Sequence, residues 1–280
     1  MGLKPRVVYL GIATQNHKNN TPDTSSGLVS QLQHWGYSVI LASSYQFAFT
    51  RLLHMIWVVL IRVNRHTLVL IDTYSTKNFC GSLFLSWLIR LKRGQYLPIL
   101  HGGNLPKRLN SANKLTRQYF EKAKALVAPS DYLAEVARAQ SWAVQVIPNG
   151  LNLQDYPKSA PKPVTPPMSA KPVLLWVRAF DRIYRPQLAL NILKALTKKF
   201  PEAELYMVGP DKDGSLDSCQ EFAKNHNLKV HFMGKLPKKE WTQLASKASI
   251  FLNTSAIDNA PVSVVEAMAL GLPVVSSAVG

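Results

Sequence analysis

The residues best placed to do chemistry lie in one stretch, NTSAIDNAPVSVVEAMALG, from Asn253 to Gly271. Asp258 and Glu266 are its two acidic side chains, eight positions apart. An apolar strand ends near Asn253, a polar loop follows, and a helix is predicted to begin at about Pro261. Proline suits a first helical turn because its missing N–H would have had no intrahelical partner. Gly271 suits the C-terminal cap. A helix starting at the carboxyl edge of a parallel sheet offers free N–H groups and the positive end of its dipole, and both attract phosphate. Glu266 stands between Val265 and Ala267 in an otherwise apolar helix, and a carboxylate there needs a partner. If the intervening chain is mostly helical, the two carboxylates are about 10–12 Å apart. That exceeds the ~5–5.5 Å of a retaining glycosidase pair and reaches the limit for an inverting one. The spacing fits two polar ends of one ligand with a diphosphate between them. It also fits a salt-bridged glutamate and a capping aspartate.

Arg178 closes the apolar run Val173–Val177 in the segment WVRAFDRIYRP. Arginine stays charged and binds phosphate through two parallel N–H bonds. Arg182 and Arg185 follow it, either as further ligand cations or as solvated surface. His101 ends the run YLPILH and is followed by Gly102 and Gly103. A glycine pair lets backbone approach a ligand closely, and the carboxyl end of a parallel strand is the functional edge of such sheets. A histidine there can also simply end a strand by hydrogen bonding. Ser130, before Asp131, reads as a helix N-cap.

The elements that must position these residues alternate between short β-branched runs and longer stretches of helical spacing. In the first half the strands read Arg6–Ile12, Tyr37–Ala42, Thr67–Asp72, Tyr96–His101, Ala125–Pro129 and Val144–Pro148. Ser25–Trp35, Phe79–Leu91 and Tyr132–Gln140 have helical spacing between them. Lys158–Pro172, KSAPKPVTPPMSAKP, has five prolines in fifteen residues and reads as a stiff extended linker. Alternation then resumes with strands Val173–Val177, Ala203–Val208, Lys229–Met233, Ile250–Asn253 and Pro273–Ser276. Helices fit Leu188–Phe200, Ser218–Asn227, Lys239–Ser246 and Val262–Leu270. The pattern predicts an α/β fold of two Rossmann-like domains facing a cleft, residues 1–157 and 173–280, joined by linker 158–172.

The 280 residues carry 33 basic and 16 acidic side chains, a net charge of +17. Residues 1–150 hold 17 and 5 of these, net +12, which points to an anionic partner. No helix-turn-helix, zinc pattern or RNA-binding motif is visible, which argues against nucleic acid. No G-x-G-x-x-G follows either first strand, which argues against a dinucleotide enzyme. No Asp-x-Asp or His/Cys metal cluster stands at the expected cleft. Cys80 and Cys219 give no disulfide framework, and Met1–Arg6 lacks the order of a signal peptide, so a cytoplasmic protein is expected. The longest apolar run, Met55–Ile61, falls well short of the roughly 20 residues of a membrane-spanning helix. Phe47–Val63, FAFTRLLHMIWVVLIRV, fits a buried helix, or one resting on an anionic membrane surface with Arg51, Arg62 and Arg65 at its borders.

These segments resemble the large family of glycosyl transferases group 1, retaining enzymes of GT-B fold. The resemblance rests on the acidic, seven-spacer, acidic pattern of Asp258 and Glu266 and on the tail EAMALGLPVVSSAVG. VGPDKDGSL (Val208–Leu216), FMGKLPKKEW (Phe232–Trp241) and IPNGLNLQDYP (Ile147–Pro157) extend it over nearly the whole chain, in the expected order. It implies that Glu266 holds the ribose of a nucleotide-sugar donor and Asp258 its sugar hydroxyls. It implies diphosphate contact from the backbone of Asn259, Ala260, Pro261, Val262 and Ser263. Arg178 would neutralise the leaving diphosphate, and His101 would approach the donor sugar. The resemblance further implies retaining, metal-independent, hexosyl-type transfer without a cofactor. The acceptor would be a saccharide or a lipid-linked one in surface polysaccharide synthesis, at the inner face of the membrane. The chain departs from the family in four ways. Asp258 replaces the usual Glu. The family's lysine after Arg178 is missing, leaving Arg182 and Arg185 as candidates. Gln15–Asn20 lacks the usual glycine pair. The chain stops at Gly280, where the family continues, so the C-terminal domain is read as incomplete. A catalytically impaired relative that only binds the donor is the alternative.

Overall fold

A computed structural model describes residues 5–11, 24–42, 45, 47–75, 78–102, 105–110, 113–151, 153, 156 and 171–279. The loop Gln15–Asn20, Gly103, Gly280 and the linker up to residue 170 lie outside the described residues. The chain divides into two compact units, Met1–Gly150 and Leu151–Val279. Tyr156 lies in the second unit, where its hydroxyl bonds to Glu266.

The first unit runs β1 (Arg6–Leu10), α1 (Thr24–His34), β2 (Val39–Ala42), α2 (Ala48–Arg62), β3 (Thr67–Thr73), α3 (Asn78–Leu91), β4 (Gln95–Leu100), α4 (Leu105–Asn110), α5 (Lys114–Glu121), β5 (Leu126–Ala128), α6 (Asp131–Arg138) and β6 (Val144–Val146). Its strands are parallel in the order β2-β1-β3-β4-β5-β6. Alternate residues of β1 serve opposite faces, as the pleat requires. Val8 and Leu10 join the core under α2, α3, α5 and α6, while Val7 and Tyr9 pack towards α1. Helices α4 and α5 were not foreseen. Both are short, and α4 carries Pro106, so neither shows a sustained apolar period. Ser130 is the N-cap residue of α6, though its hydroxyl makes no capping bond.

The second unit runs β7 (Val173–Val177), a 3-10 turn (Arg182–Tyr184), α7 (Pro186–Thr197), β8 (Glu204–Val208), α8 (Ser215–Asn225), β9 (Val230–Phe232), α9 (Lys238–Lys247), β10 (Ile250–Asn253), α10 (Val262–Ala269) and β11 (Val274–Ser276). The parallel order is β11-β10-β7-β8-β9. Observed elements begin or end within a few residues of those expected. Pro261 caps α10 from outside instead of occupying its first turn.

Strand order locates the site. From β7 the chain steps outward to β8 and β9, then returns to lay β10 on the other side of β7. The connections leaving β7 and β10 therefore diverge, and the crevice they open at the carboxyl edge is where such sheets bind ligands. Arg178 immediately follows β7, and the loop holding Asp258 follows β10.

Candidate functional site

Arg178 and Asp258 meet at this switch point. Arg178 Nη2 donates to Asp258 Oδ2 over 2.6 Å. Both side chains are largely buried, at 16% and 17% exposure, so the pair is shielded from solvent screening. Asp258 Oδ1 accepts the Asn259 N–H at 2.8 Å. The guanidinium lies over the Tyr184 ring, 5.3 Å from its centroid. Burial pushes the Tyr184 phenol up, so it stays a neutral hydroxyl beside the cation. Arg178 Nε is buried without a hydrogen-bond partner among the described residues, leaving one donor of the fork unspent.

The backbone beneath this arginine is closely fitted. Arg178 N–H donates to Val208 carbonyl, and Gly209 N–H donates to Gly234 carbonyl. A Cβ on Gly209 would fall 1.7 Å from the Arg178 carbonyl oxygen. Gly209→Ala must therefore displace the strand end that carries Arg178, at a cost of about 1–3 kcal/mol. Urea denaturation should show this loss; an unchanged midpoint would contradict the contact.

Glu266 forms a second cluster on α10. It is 7% exposed, accepts the Tyr156 hydroxyl at 2.6 Å, and lies 3.3 Å from Lys238 Nζ. That ammonium also sits 4.2 Å from the Tyr156 ring centroid. The partner required of a carboxylate in an apolar helix is thus a lysine at the start of α9 together with a tyrosine far away in sequence. Sequence reasoning identified neither. The FMGKLPKKEW segment was the available signal for Lys238, since it places a cation at a helix start next to the expected donor region.

The rest of the expected donor set is arranged around α10. Asn259 and Ser263 are buried, and Ala260, Pro261 and Val262 are partly exposed. Ser263 Oγ, in the first turn, is buried without a partner among the described residues. The first-turn N–H groups of a helix also lack intrahelical acceptors. An unsatisfied hydroxyl beside free N–H groups at a dipole's positive end suits an anion. Arg185 is exposed in left-handed backbone, φ 47° and ψ 57°, and caps α7. Arg182 points to solvent and lies 3.8 Å from Asp213. The cation that reaches the Glu266 cluster is therefore Lys238, not Arg182 or Arg185.

His101 belongs to the first unit, immediately after β4. Its N–H donates to Thr73 carbonyl, and its ring stacks on Tyr74 at 4.9 Å. Nε2 lies 2.8 Å from Asp72 Oδ1, which also accepts the Tyr9 hydroxyl at 2.7 Å. A carboxylate can only accept, so this contact places a ring proton on Nε2 and leaves Nδ1 outside the Asp72 contact. His101 is thus held by hydrogen bonds at a strand end.

Residues 160–280 match the family model for glycosyl transferases group 1. This part of the chain is similar to that family's domain. No curated protein matches the chain by sequence. Solved structures do match. Sucrose-phosphate synthase from Thermosynechococcus elongatus is 18% identical with TM-score 0.72, over 99% of this chain and 82% of that one. Anabaena HepE, solved with UDP and glucose, is 16% identical with TM-score 0.67, over 99% of this chain and 81% of that one. A TarM mutant from S. aureus, solved in a complex that includes UDP, is 15% identical with TM-score 0.62, over 82% of this chain but only 45% of that one. At such identities the likeness is one of fold, and the fold is that of the GT-B glycosyltransferases. Within the matched residues, the Arg178–Asp258 pair and the Glu266 cluster occupy the strand-end loop and helix that the sequence singled out.

Proposed function

We propose that this chain transfers a sugar from a nucleotide-diphosphate sugar to a saccharide or lipid-linked acceptor, with retention at the anomeric carbon and without a metal. The observation that carries the reading is the buried Arg178–Asp258 pair at the switch point of the part similar to the group 1 family, beside the start of α10. Anabaena HepE with UDP and glucose, and pneumococcal GtfA with UDP and GlcNAc, support a nucleotide-sugar donor. In this reading Glu266 receives the ribose hydroxyls and Asp258 those of the sugar. The backbone from Asn259 to Ser263 faces the diphosphate, and Arg185, exposed at the start of α7, reaches its outer oxygens. Arg178 meets negative charge that grows on the diphosphate as the sugar leaves, and a fixed cation stabilises that charge without reorganising. His101 offers Nδ1 to a hydroxyl of the donor sugar.

In this reading the acceptor serves surface polysaccharide synthesis, at the cytoplasmic face of a membrane. No helix among the described residues is long and apolar enough to cross one. Leu53 and Trp57 of α2, and Phe84, Trp87 and Leu91 of α3, are nonetheless exposed on two helices that pack together. Arg62, Arg65, Arg90, Lys92 and Arg93 lie at the ends of these helices. Apolar faces rimmed by basic residues suit an anionic interface.

A thermal-shift panel of UDP-, GDP- and ADP-sugars tests the donor, since a specific ligand stabilises by mass action. Transfer by metal-free protein in EDTA, with product configuration read by NMR, tests the chemistry. An inverted product would sink retention, and binding without turnover would select the impaired-relative reading. Vesicle flotation tests the surface: the chain should rise with anionic vesicles, stay down with zwitterionic ones, and be released by salt.

A further inference from the structure

The first unit has a switch point of its own. β2 lies on one side of β1 and β3 on the other, so the connections leaving β1 and β3 diverge at the carboxyl edge. A cavity of about 280 Å³ lies there. Gly11, Asp72, Tyr74 and the first residues of α2 and α3 line its mouth. It continues between the two helices to Met55 and Leu85. Ala48 to Met55 spans roughly 10 Å along a helix axis.

The two ends of this cavity differ in chemistry. The throat is walled by Leu10, Leu52, Ile71 and Leu85, which offer a sugar no hydrogen bonds. Ser82 is tied to the Asn78 carbonyl of its own helix. Gly81 lies mid-helix, where glycine weakens α3, and a Cβ there would point into the throat at 3.4 Å from Leu52. Arg51 lines the wall one turn into α2 and has no acidic partner among the described residues; its recorded bond is a long one to the Tyr45 carbonyl. Neither α2 nor α3 has an acidic residue in its first turn, so neither helix neutralises its own dipole end, and the Asp72 carboxylate at the mouth is engaged by Tyr9 and His101. The surrounding half of the chain is net +12.

We propose that this cavity takes the head-proximal segment of a prenyl or acyl chain, with the lipid's phosphate held at Arg51. The assignment rests on the transferase reading above and narrows its acceptor to a phosphate-linked lipid. The exposed Phe49 at the mouth joins the cavity to the outer apolar face of α2.

Calorimetric titration of the full chain with geranyl phosphate, below its micellisation point, tests this. Geranyl phosphate should bind, and inorganic phosphate at the same concentration should not. Gly81→Leu, which fills the throat, should weaken binding about tenfold or more. Ala48→Trp, at an exposed mouth position that leaves the core intact, should do the same. Both variants should keep their thermal shift with nucleotide sugars. Trp57→Ser, on the outer face, should bind as the parent does. The proposal is overturned if geranyl phosphate does not bind, if inorganic phosphate binds equally well, if both plugged variants bind normally, or if Trp57→Ser abolishes binding. Loss of every nucleotide-sugar response with geranyl phosphate binding intact would sink the transferase reading and leave the cavity assigned.

Discussion

Arg178→Ala is expected to lower kcat by about 10²–10³-fold while changing KM far less. The guanidinium sits at the diverging strand ends with one Nη committed to Asp258 and a buried Nε unspent. A group so placed acts most where charge develops, on the departing diphosphate. The fold should survive, because the backbone bond from Arg178 to Val208 does not involve the side chain. Asp258 keeps the Asn259 N–H but loses its cation, so a modest fall in Tm is expected alongside the kinetic loss. Arg178→Lys retains charge without the planar fork and should fall between the two. Steady-state kinetics with matched melting curves decide the matter. An alanine variant with parental kcat would place the donor elsewhere.

Glu266→Ala should cost about 3–5 kcal/mol of stability, because removing one partner of a buried pair strands the other. Lys238 would be left at 18% exposure against the Tyr156 ring without its carboxylate, and the Tyr156 hydroxyl would lose the Glu266 acceptor. Nucleotide affinity should fall with it. Glu266→Gln preserves an acceptor for Tyr156 while removing the charge, so it separates the hydrogen bond from the ion pair. Lys238→Ala in the Glu266→Ala background should recover part of the loss, and a double-mutant cycle measures the coupling. Additive losses would mean that the two side chains do not act as a pair.

The fold was legible because strands such as Val173–Val177 and Ile250–Asn253 are short β-branched or apolar runs bounded by polar residues, a local signal that burial reinforces. Helices α4 and α5 escaped because six and eight residues are too few to establish a period. In the site, Arg178, Asp258 and Glu266 stood out as charges at strand ends or within an apolar helix. Their partners did not. Tyr156 lies 110 positions from Glu266, and Lys238 is one of several lysines in its segment. Which of them arrives at Glu266 is set by the order β10-β7-β8-β9, not by local sequence. The same reason hid the Arg178–Asp258 bond, which spans 80 positions.

That strand order also bears on how the chain is made. In each sheet the strand at the switch point pairs with one that arrives much later: Arg6 with Thr67, and Leu174 with Ile250. Parallel pairing of distant strands must bear the entropy of closing a long loop before any ladder forms, so both units are expected to fold slowly. On the ribosome, β7 emerges as an apolar strand and waits for more than seventy further residues before β10 covers one of its edges. During that interval an open, hydrophobic strand edge is exposed to other nascent chains. Slower synthesis at low temperature, or an abundance of chaperones, should thus govern the yield of soluble protein more than the stability of the finished fold does.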